Sequence, residues 1–430
     1  MVIILGAGLT GLTAAYELSK RSVPVTLVEK ESELGGALGS IRRKGYCIER
    51  FYHHCFSGDK NLRNLISELG LNRELKWLPA TTAFYDREFH NLSGVLDIFN
   101  FSPLNTRERV MLGKMMLKIK LMSMSMARTL DNISAKDWVI RNASQGTWKN
   151  FFEPMLVSKF GNKAGEVSAA WFIERMKARA NRGLTREKLG YFEGGFCNLI
   201  DELERRILAN GGKIIKSAGA SSLGISRNSV SGIRIGNRKF SNNCVISTIP
   251  PEELLRIAKL PHELSSQLGK LEYQGCVSVI LGLKSKLTDF YWTNLIGKQR
   301  AFGAVIEHTN FLPPALYSGE HIIYLASYPP AGSKIWKMGK EKIFSIYLRD
   351  LKEMMPKADI EVLWSEVCML RSAGLVYKKG VLGNIPDVQT PVGGLFIGGM
   401  FSSFPERSME ASVRAGKDCA KMAAEYLDGE

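Results

Sequence analysis

The chain has 430 residues, of which 45% are hydrophobic and 23% charged, so it is long enough for two or three globular domains with large cores. No apolar run approaches the roughly 18 to 20 residues that a membrane-spanning helix needs. The net charge is +16, but no nucleic-acid-binding motif accompanies it, so we expect no nucleic-acid partner; an anionic membrane surface, an acidic substrate or a general basic bias remain as explanations.

The chain begins with an apolar strand that runs directly into a glycine-rich turn. Val2 to Leu5 form the strand, and Gly6, Gly8 and Gly11 follow in a Gly-x-Gly-x-x-Gly pattern. In such a loop the first glycine makes the tight turn, the second lets a diphosphate approach the backbone, and the third lets helix and strand pack closely. The helix expected from about Thr10 to Lys20 points its free N–H groups at the phosphates. The first segment is thus needed by the fold and is not a signal peptide.

A second strand, Val23 to Val28, ends in Glu29. An acidic residue roughly 20 positions after the glycines is placed to accept hydrogen bonds from a ribose hydroxyl, and it disfavours a 2′-phosphate. The strand, the glycines and Glu29 together predict a nucleotide cofactor site. Because only one such fingerprint is present, the sequence favours a tightly held FAD over a visiting nicotinamide.

Beyond this unit, helical and strand patterns follow one another along the chain. We predict a helix at Asp59–Leu71, a β-hairpin within Leu75–Leu92, and mainly helix from Thr106 to about Arg182. Further strands are expected at Gly212–Gly224, Val230–Ile235, Val245–Pro251, between residues 273 and 330, and at Gly393–Gly399. Two more helices are expected at Glu341–Met354 and Ser408–Tyr426.

The residues after Glu29 are more specific than the glycine loop. Six positions beyond this acidic residue stands a glycine pair, Gly35 and Gly36. The pattern resembles the superfamily of flavin-dependent amine oxidases, protoporphyrinogen oxidases and phytoene desaturases, whose fold also includes UDP-galactopyranose mutase. In that family the glycine pair runs beside the FAD diphosphate, which implies the same role for Gly35 and Gly36.

Three later segments extend the resemblance. Gly194-Gly195-Phe196 resembles the turn before the chain returns to the cofactor domain, and Ser247 to Pro251 resembles the strand end that faces the cofactor. Gly398-Gly399 and Ser408 to Val413 resemble the C-terminal FAD signature, in which the start of a second helix meets the ribityl chain and flavin O2. A positive helix end there stabilises negative charge on reduced flavin.

The resemblance implies an FAD that is held without a covalent bond, since no cysteine lies near the C-terminal signature. The family's usual arginine after the glycine pair is replaced here by Ala37. The phosphate charge is therefore expected to be met by Arg42 and Arg43 or by the helix alone. The predicted cofactor-binding residues are Gly6, Gly8, Leu9, Thr10, Gly11, Glu29, Lys30, Gly35, Gly36, Ala37, Ala220, Thr248, Pro250, Gly399, Ser408, Met409, Glu410 and Val413.

The implied fold class is α/β. We expect a Rossmann-like, three-layer FAD-binding domain with a mostly parallel sheet, interleaved with an α+β substrate domain. The FAD-binding domain is predicted to comprise residues 1–78, 190–270 and 370–430, and the substrate domain residues 79–189 and 271–369. The resemblance is weakest in the two segments of the substrate domain.

The cysteines and histidines show no spacing typical of a bound metal. The seven cysteines are scattered, with no CxxC pair and an odd total, and the six histidines form no metal-binding motif. These patterns argue against a disulfide framework and against a metal site, and they fit a reducing cytoplasm.

Two adjacent histidines are the candidates for catalysis. His53 and His54 stand where the family chain passes the isoalloxazine ring. Either could orient the substrate or act as a general base with a pKa near the working pH; the alternative is a hydrogen-bonded structural histidine. Arg175 and Arg179, one helical turn apart, could clamp an anionic substrate or form a solvated basic face.

The segment 110–126 combines many apolar side chains with lysines, and Lys114 and Lys118 share one face of the expected helix. A basic amphipathic helix of this length can lie on an anionic membrane but cannot span it. The alternative is a core helix of the substrate domain. Besides a small-molecule substrate, we thus expect peripheral membrane contact through residues 110–126 of a cytoplasmic protein.

These observations predict an FAD-dependent oxidoreductase of the oxidase, dehydrogenase or desaturase type. It would transfer a hydride from a small-molecule, hydrophobic, isoprenoid- or tetrapyrrole-like substrate to flavin N5, and an amine substrate stays open. One alternative is a non-redox flavoenzyme like UDP-galactopyranose mutase that acts on a nucleotide sugar, whose diphosphate Arg175 and Arg179 would meet. Another is a flavin-binding protein without catalysis.

Overall fold

The computed structural model describes residues 1–180, 188–405 and 408–429, which form twenty strands and thirteen α-helices. The strands are β1 Val2–Leu5, β2 Val25–Val28, β3 Ser40–Arg43, β4 Tyr46–Glu49, β5 Cys55–Phe56, β6 Leu75–Pro79, β7 Thr82–Asp86, β8 Glu88–Asn91, β9 Lys188–Phe192, β10 Lys213–Ile215, β11 Ala220–Ser226, β12 Ser229–Ile235, β13 Arg238–Phe240, β14 Val245–Ser247, β15 Tyr273–Leu283, β16 Trp292–Leu295, β17 Ala304–Glu307, β18 His321–Ser327, β19 Val362–Leu375 and β20 Leu395–Ile397. The helices are α1 Leu9–Lys20, α2 Lys60–Glu68, α3 Thr106–Leu121, α4 Met124–Arg128, α5 Ala135–Asn142, α6 Gln145–Thr147, α7 Glu153–Phe160, α8 Ala169–Ala180, α9 Cys197–Ala209, α10 Pro251–Ile257, α11 His262–Gly269, α12 Lys340–Met354 and α13 Met409–Asp428.

A five-stranded parallel sheet forms the centre of the first unit, in the order β10-β2-β1-β14-β20. Its strands other than the edge strand β10 are buried on both faces, as parallel strands usually are. Val2 and Ile4 of β1 pack among residues of α1, α9 and α13. Ile3 and Leu5 point the other way and pack against the antiparallel sheet β11–β13. Helices, parallel sheet and antiparallel sheet make three layers, which confirms the predicted α/β, Rossmann-like class.

A seven-stranded sheet forms the second unit, in the order β19-β15-β18-β17-β16-β7-β8. One face packs against α12 through residues such as Val279, Leu325 and Tyr347. The other face, which includes Ile280 and Tyr324, joins the core of the first unit. Strands β7 and β8 come from one predicted substrate-domain segment and the others from the second, although β19 runs six residues past the predicted limit of 369. The domain limits themselves stay a prediction.

The helices α3 to α8 form most of the region between β8 and β9. Trp171 of α8 stacks on Tyr377, with ring centroids 5.5 Å apart and planes 12° apart. Its indole Nε1 donates to the carbonyl oxygen of Pro405 at 3.1 Å. These contacts hold the helical region against the segments that follow β19 and β20. The last residues of the predicted helical stretch, 181 and 182, lie outside the described ranges.

One disulfide contradicts the expectation drawn from cysteine spacing. Cys47 of β4 and Cys197 at the start of α9 are bonded, although 150 positions separate them. The spacing of the two cysteines does not predict this disulfide, because they come together only when β4 packs beside α9. The other five cysteines lie outside this disulfide and are buried. Within the described ranges, no cluster of histidine, cysteine and acidic residues could hold a metal ion, and no helix is long and apolar enough to cross a bilayer.

Candidate functional site: a nucleotide cavity between two sheets

The turn after β1 is held in a conformation that two of its glycines make possible. Gly6 has a φ of +93°, and the Thr248 hydroxyl donates to the carbonyl oxygens of Leu5 and Gly6 at 2.8 and 3.0 Å. A Cβ on Gly11 would lie 1.9 Å from the Gly6 oxygen. By contrast, a Cβ on Gly8 would meet nothing within 4 Å. The fold therefore requires glycine at positions 6 and 11, whereas Gly8 borders open space at the start of α1.

The glycine pair lies directly against this turn. The Gly35 N–H donates to the Ala7 carbonyl oxygen at 2.8 Å, and a Cβ on Gly36 would lie 3.2 Å from the Gly8 Cα. The buried Glu29 carboxylate accepts from the N–H of Ala7 at 2.7 Å and from that of Glu31 at 3.0 Å. Since each carboxylate oxygen has two lone pairs, Glu29 can still accept from a ribose hydroxyl.

A second helix begins at the same place. Ser408 caps α13 by accepting from the Ala411 N–H at 3.2 Å. A Cβ on Gly416 would lie 2.5 Å from the Thr10 carbonyl oxygen, so α13 and α1 pack with little space between them. The N-terminal ends of both helices therefore face one region and create a positive potential there.

These elements surround a cavity of about 1180 Å³ at the carboxyl ends of β1, β2 and β14. The predicted residues that line it are Gly6, Gly8, Leu9, Thr10, Glu29, Lys30, Gly35, Gly36, Ala37, His53, Ala220, Thr248, Pro250, Gly399, Ser408 and Met409. Gly11, His54, Glu410 and Val413 are not among the lining residues. Gly11 serves helix packing, and Val413 is buried in the core.

The side chain of Glu410 faces a different helix. Its carboxylate accepts from Asn61 Nδ2 at 2.7 Å and from the Leu62 N–H at 2.8 Å. Because the first N–H groups of a helix have no partner within it, this carboxylate satisfies one at the start of α2. Glu410 thus fastens α2 to α13.

Neither of the two arginines that were expected to meet the phosphate charge reaches the cavity. Arg42 pairs with Asp201 at the surface, with an N–O distance of 2.6 Å. The Arg43 guanidinium lies over the ring of Trp364, 4.3 Å from its centroid. Arg50 does line the cavity, and a Cβ on Gly39 would lie 3.8 Å from its guanidinium carbon. Arg50 was not predicted from the sequence. Its position directly before Phe51 and close to His53 could have indicated that it lies near the cofactor site.

His53 lines the cavity and is neutral near physiological pH. Burial lowers its pKa to about 4, against the expectation of a value near the working pH. Its Nδ1 lies 2.6 Å from the Phe51 carbonyl oxygen, which can only accept, so Nδ1 carries the proton and Nε2 keeps a lone pair. His54 lies behind it, with Nδ1 3.2 Å from the Tyr291 hydroxyl and its ring edge-on to Phe56. Only His53 is placed to meet a ligand in the cavity.

The far wall of the cavity comes from β19, which the sequence pattern did not reveal. The lining includes every residue from Glu366 to Ser372 and, beside them, Tyr273 and Phe401. Cys368 and Leu370 belong to the face of the sheet that meets the first unit. Burial raises the pKa of the Cys368 thiol to about 12, so this wall presents an uncharged sulfur.

Among the described residues, the charged side chains on the cavity lining are balanced in number. The basic ones are Lys30, Arg50, Arg256, Lys340 and Arg371, and the acidic ones are Glu29, Glu31, Glu252, Glu253 and Glu366. Several neutralise one another: Lys30 pairs with Glu253 at 2.7 Å and Lys340 with Glu366 at 2.8 Å. The overall basic charge of the chain is therefore not concentrated here.

Of the two arginines considered for a substrate clamp, only the side chain of Arg175 can be placed relative to this cavity. Arg175 lies on α8 and is not among the lining residues, and the side chain of Arg179 lies outside the described part of the chain. The nearby Lys159 places its ammonium over the rings of Phe160 and Trp171.

A buried carboxylate supports the loop that carries Arg50 and His53. Glu49 is 1% exposed and accepts from the Tyr191 hydroxyl and from the Phe196 N–H, both at 2.6 Å. Burial raises its pKa to about 7, while the two hydrogen bonds act in the opposite direction. Through Phe196, Glu49 fixes the Gly194-Gly195 turn against β4.

Comparison with known proteins gives a consistent result. Residues 9–423 match the family described as flavin containing amine oxidoreductase. The chain is 23% identical to the chloroplastic prolycopene isomerase of Arabidopsis thaliana, across 98% of this chain and 82% of that one. A solved structure from Exiguobacterium sp. 255-15, described as a protoporphyrinogen oxidase, superposes with a TM-score of 0.80 at 16% identity, covering 99% and 98% of the two chains. Reduced UDP-galactopyranose mutase gives 0.77 at 15% identity, covering 100% and 94%.

The cavity fits FAD, in agreement with a family of flavin-containing proteins. Two close-packed glycine loops leave the space beside Gly8 free of protein atoms, and two helix N-termini face it. Glu29 stands at the end of β2 for the ribose, and Arg50 adds a positive charge farther along. A dinucleotide with an anionic diphosphate matches this donor set.

Proposed function

We propose that the chain, which belongs to the family of flavin-containing amine oxidoreductases and is an FAD-dependent oxidoreductase, removes a hydride from an apolar small molecule. The observation that supports this substrate class is the β19 wall. Cys368, Met369 and Leu370 line the cavity together with Tyr273 and Phe401, so much of the surface that faces the cofactor loops is uncharged. A pocket of this kind binds through apolar contact and uses a few polar groups to orient its ligand.

The bound flavin supplies the hydride acceptor. The residues of the chain hold and orient the reactants. The start of α13, with Ser408 and Met409, contributes free N–H groups that favour negative charge, and Arg50 adds a cation. His53 offers the lone pair of Nε2 as a hydrogen-bond acceptor. Because its pKa is about 4, His53 orients a substrate group and does not supply a proton at neutral pH.

The balanced charges of the cavity bear on the mutase alternative. A nucleotide-sugar substrate would bring a second diphosphate, and the described part of the lining offers no excess of basic residues to meet it. Arg175, one of the two arginines on which that alternative relied, does not line the cavity. An oxidoreductase that acts on an apolar substrate, in which the cofactor holds the only diphosphate, agrees better with this lining.

The test is an anaerobic titration of the purified flavoprotein, followed by its visible absorbance. Polyene, porphyrinogen, polyamine and UDP-sugar candidates are added in separate experiments. We expect an apolar candidate to bleach the oxidised flavin. Turnover of a UDP-sugar that requires prior reduction by dithionite but consumes no electrons would refute the proposal in favour of a mutase. Failure of every class to bleach or turn over would favour a binding protein.

A matched pair of variants on β19 tests where the substrate binds. Leu370 lines the cavity, whereas Leu363 on the same strand is 49% exposed. Leu370→Glu should raise KM for an apolar substrate by one to two orders of magnitude, roughly the effect of losing one buried leucine contact and burying a charge. Leu363→Glu should leave KM unchanged. Equal kinetics in the two variants would remove β19 from the substrate site.

A further inference from the structure

The exposed apolar side chains of the protein concentrate in one short stretch. Ten large hydrophobic residues are exposed among those described, and seven of them lie between positions 96 and 126. They are Leu96, Phe99, Val110, Leu117, Leu121, Met124 and Met126. Single exposed apolar residues are normal on a protein surface, but a concentration of this kind marks an interaction site.

Helix α3 carries two opposed apolar stripes. Leu112, Met115 and Ile119 are buried against the helical region. At about 100° per residue, Val110, Leu117 and Leu121 fall within about 40° of one another on the opposite side. They are 53%, 57% and 78% exposed. A surface helix normally places polar residues on its outer side, so the outer stripe is not explained by packing within the chain.

Basic side chains border this outer stripe. Lys114 and Arg107 lie on one side of it and Lys120 on the other, and all three are exposed. The stretch from residue 96 to 128 holds six basic and two acidic residues. Both acids are engaged by backbone groups: Asp97 accepts from the Gly94 N–H and Glu108 from the Asn105 N–H. Positive charge therefore surrounds the exposed apolar side chains.

We propose that this surface, the exposed side chains of residues 96–126, docks on an anionic lipid bilayer. Val110, Leu117 and Leu121 enter the boundary between head groups and acyl chains, and the lysines beside them extend to the lipid phosphates. The basic side chains of this surface complement the charge of an anionic bilayer, which favours a bilayer as the binding partner. A second copy of the chain would bring its own lysines and a net charge of +16 to the contact, which is repulsive. This surface lies outside the cavity and is independent of the function proposed for it.

The experiment is co-sedimentation of the full-length flavoprotein with vesicles of phosphatidylcholine, with and without phosphatidylglycerol. We expect binding to the anionic vesicles that weakens as salt is raised. Lys114→Gln with Lys120→Gln should weaken it on the order of 30-fold, since each basic residue near an anionic surface contributes about fivefold. Leu117→Glu with Leu121→Glu should abolish it.

Matched controls carry the same chemical changes elsewhere. Leu208→Glu with Leu363→Glu alters exposed leucines outside the surface, and Lys239→Gln with Lys352→Gln removes two exposed charges. Both double control variants should bind like the wild type, and the visible spectrum and melting temperature of each variant should be unchanged. Three results would overturn the proposal: no binding to anionic vesicles at low salt, equal losses in test and control variants, or self-association through this surface without vesicle binding.

Discussion

Two glycines of the nucleotide loop should respond differently to the same added methyl group. Gly8 has a φ of −70°, which any residue adopts, and a Cβ there meets nothing within 4 Å. Gly11 is also free of conformational strain, but its Cβ would lie 1.9 Å from the Gly6 carbonyl oxygen. Gly8→Ala should therefore affect ligand binding, whereas Gly11→Ala should affect folding.

The expected magnitudes follow from these contacts. For Gly11→Ala, the backbone of β1 or α1 must shift by about 1 Å or more, which costs 3 kcal/mol or more and is offset by about 1 kcal/mol of helix propensity. Its apoprotein should lose roughly 2 kcal/mol of stability. Gly8→Ala changes the cap of α1 and should cost the apoprotein less than about 1 kcal/mol. Its methyl group occupies the space of the diphosphate, so FAD affinity should fall by about 1–3 kcal/mol, or 5- to 150-fold.

The assay compares both variants with the wild type after the flavin has been removed. Urea unfolding followed by circular dichroism gives the free energy of unfolding of each apoprotein, and equilibrium dialysis gives its Kd for FAD. A Gly8→Ala variant that binds FAD within twofold of the wild type would refute the assignment of that space to the cofactor. A Gly11→Ala apoprotein of unchanged stability would refute the packing argument.

Three further substitutions test charges near the cavity. Arg50→Gln should weaken FAD binding about 10- to 100-fold in equilibrium dialysis, and this effect should be smaller at high salt. Arg42→Gln is the control, because Arg42 pairs with Asp201 at the surface, and this variant should bind FAD like the wild type. Burial lowers the pKa of His53 to about 4, so between pH 6.5 and 4 the unfolded chain binds a proton that the folded chain does not. The free energy of unfolding should therefore fall as the pH falls through this window. In urea unfolding, the His53→Gln variant should lose about 1–2 kcal/mol less stability than the wild type over the same window. Burial raises the pKa of Glu49 to about 7, so this residue stabilises the fold at low pH and its contribution is lost as the pH rises from 4.5 to 7. Glu49→Gln resembles the protonated form, so the variant should lose on the order of 3 kcal/mol less stability over that pH range than the wild type. A variant whose free energy of unfolding depends on pH as in the wild type would contradict the assignment.

The cofactor half of the site could be predicted because it depends on local backbone geometry. A tight turn, a close approach and a helix start each need glycine or a capping residue at fixed spacing, so Gly6, Gly11, Gly35 and Ser408 leave a local signal. Glu410 shows the limit of such reasoning. It belongs to the predicted C-terminal signature, but its side chain turns toward Leu62 of α2, which is 348 residues away along the chain.

The substrate half could not be predicted because it depends on long-range register. β19 pairs with β15 over most of its length, and this pairing decides that Cys368 and Leu370 face the cavity. Its sequence mixes cysteine, methionine, arginine and serine and lacks clear alternation, so no periodicity marks it as a strand. The disulfide between Cys47 and Cys197 could not be predicted for the same reason, because it too depends on contacts between segments that are distant in the sequence.

The exposed stripe of α3 and the apolar wall of β19 have a common chemical consequence. A substrate that suits uncharged residues such as Leu370 and Tyr273 dissolves poorly in water and is concentrated in lipid. A protein that docks on a bilayer through Leu117 and Leu121 would meet such a substrate at far higher local concentration than in solution. Membrane docking and an apolar substrate are therefore mutually supporting proposals, yet each has its own test. The Leu117→Glu and Leu121→Glu variant should keep the wild-type rate on a detergent-solubilised substrate and lose rate only when the same substrate is presented in vesicles.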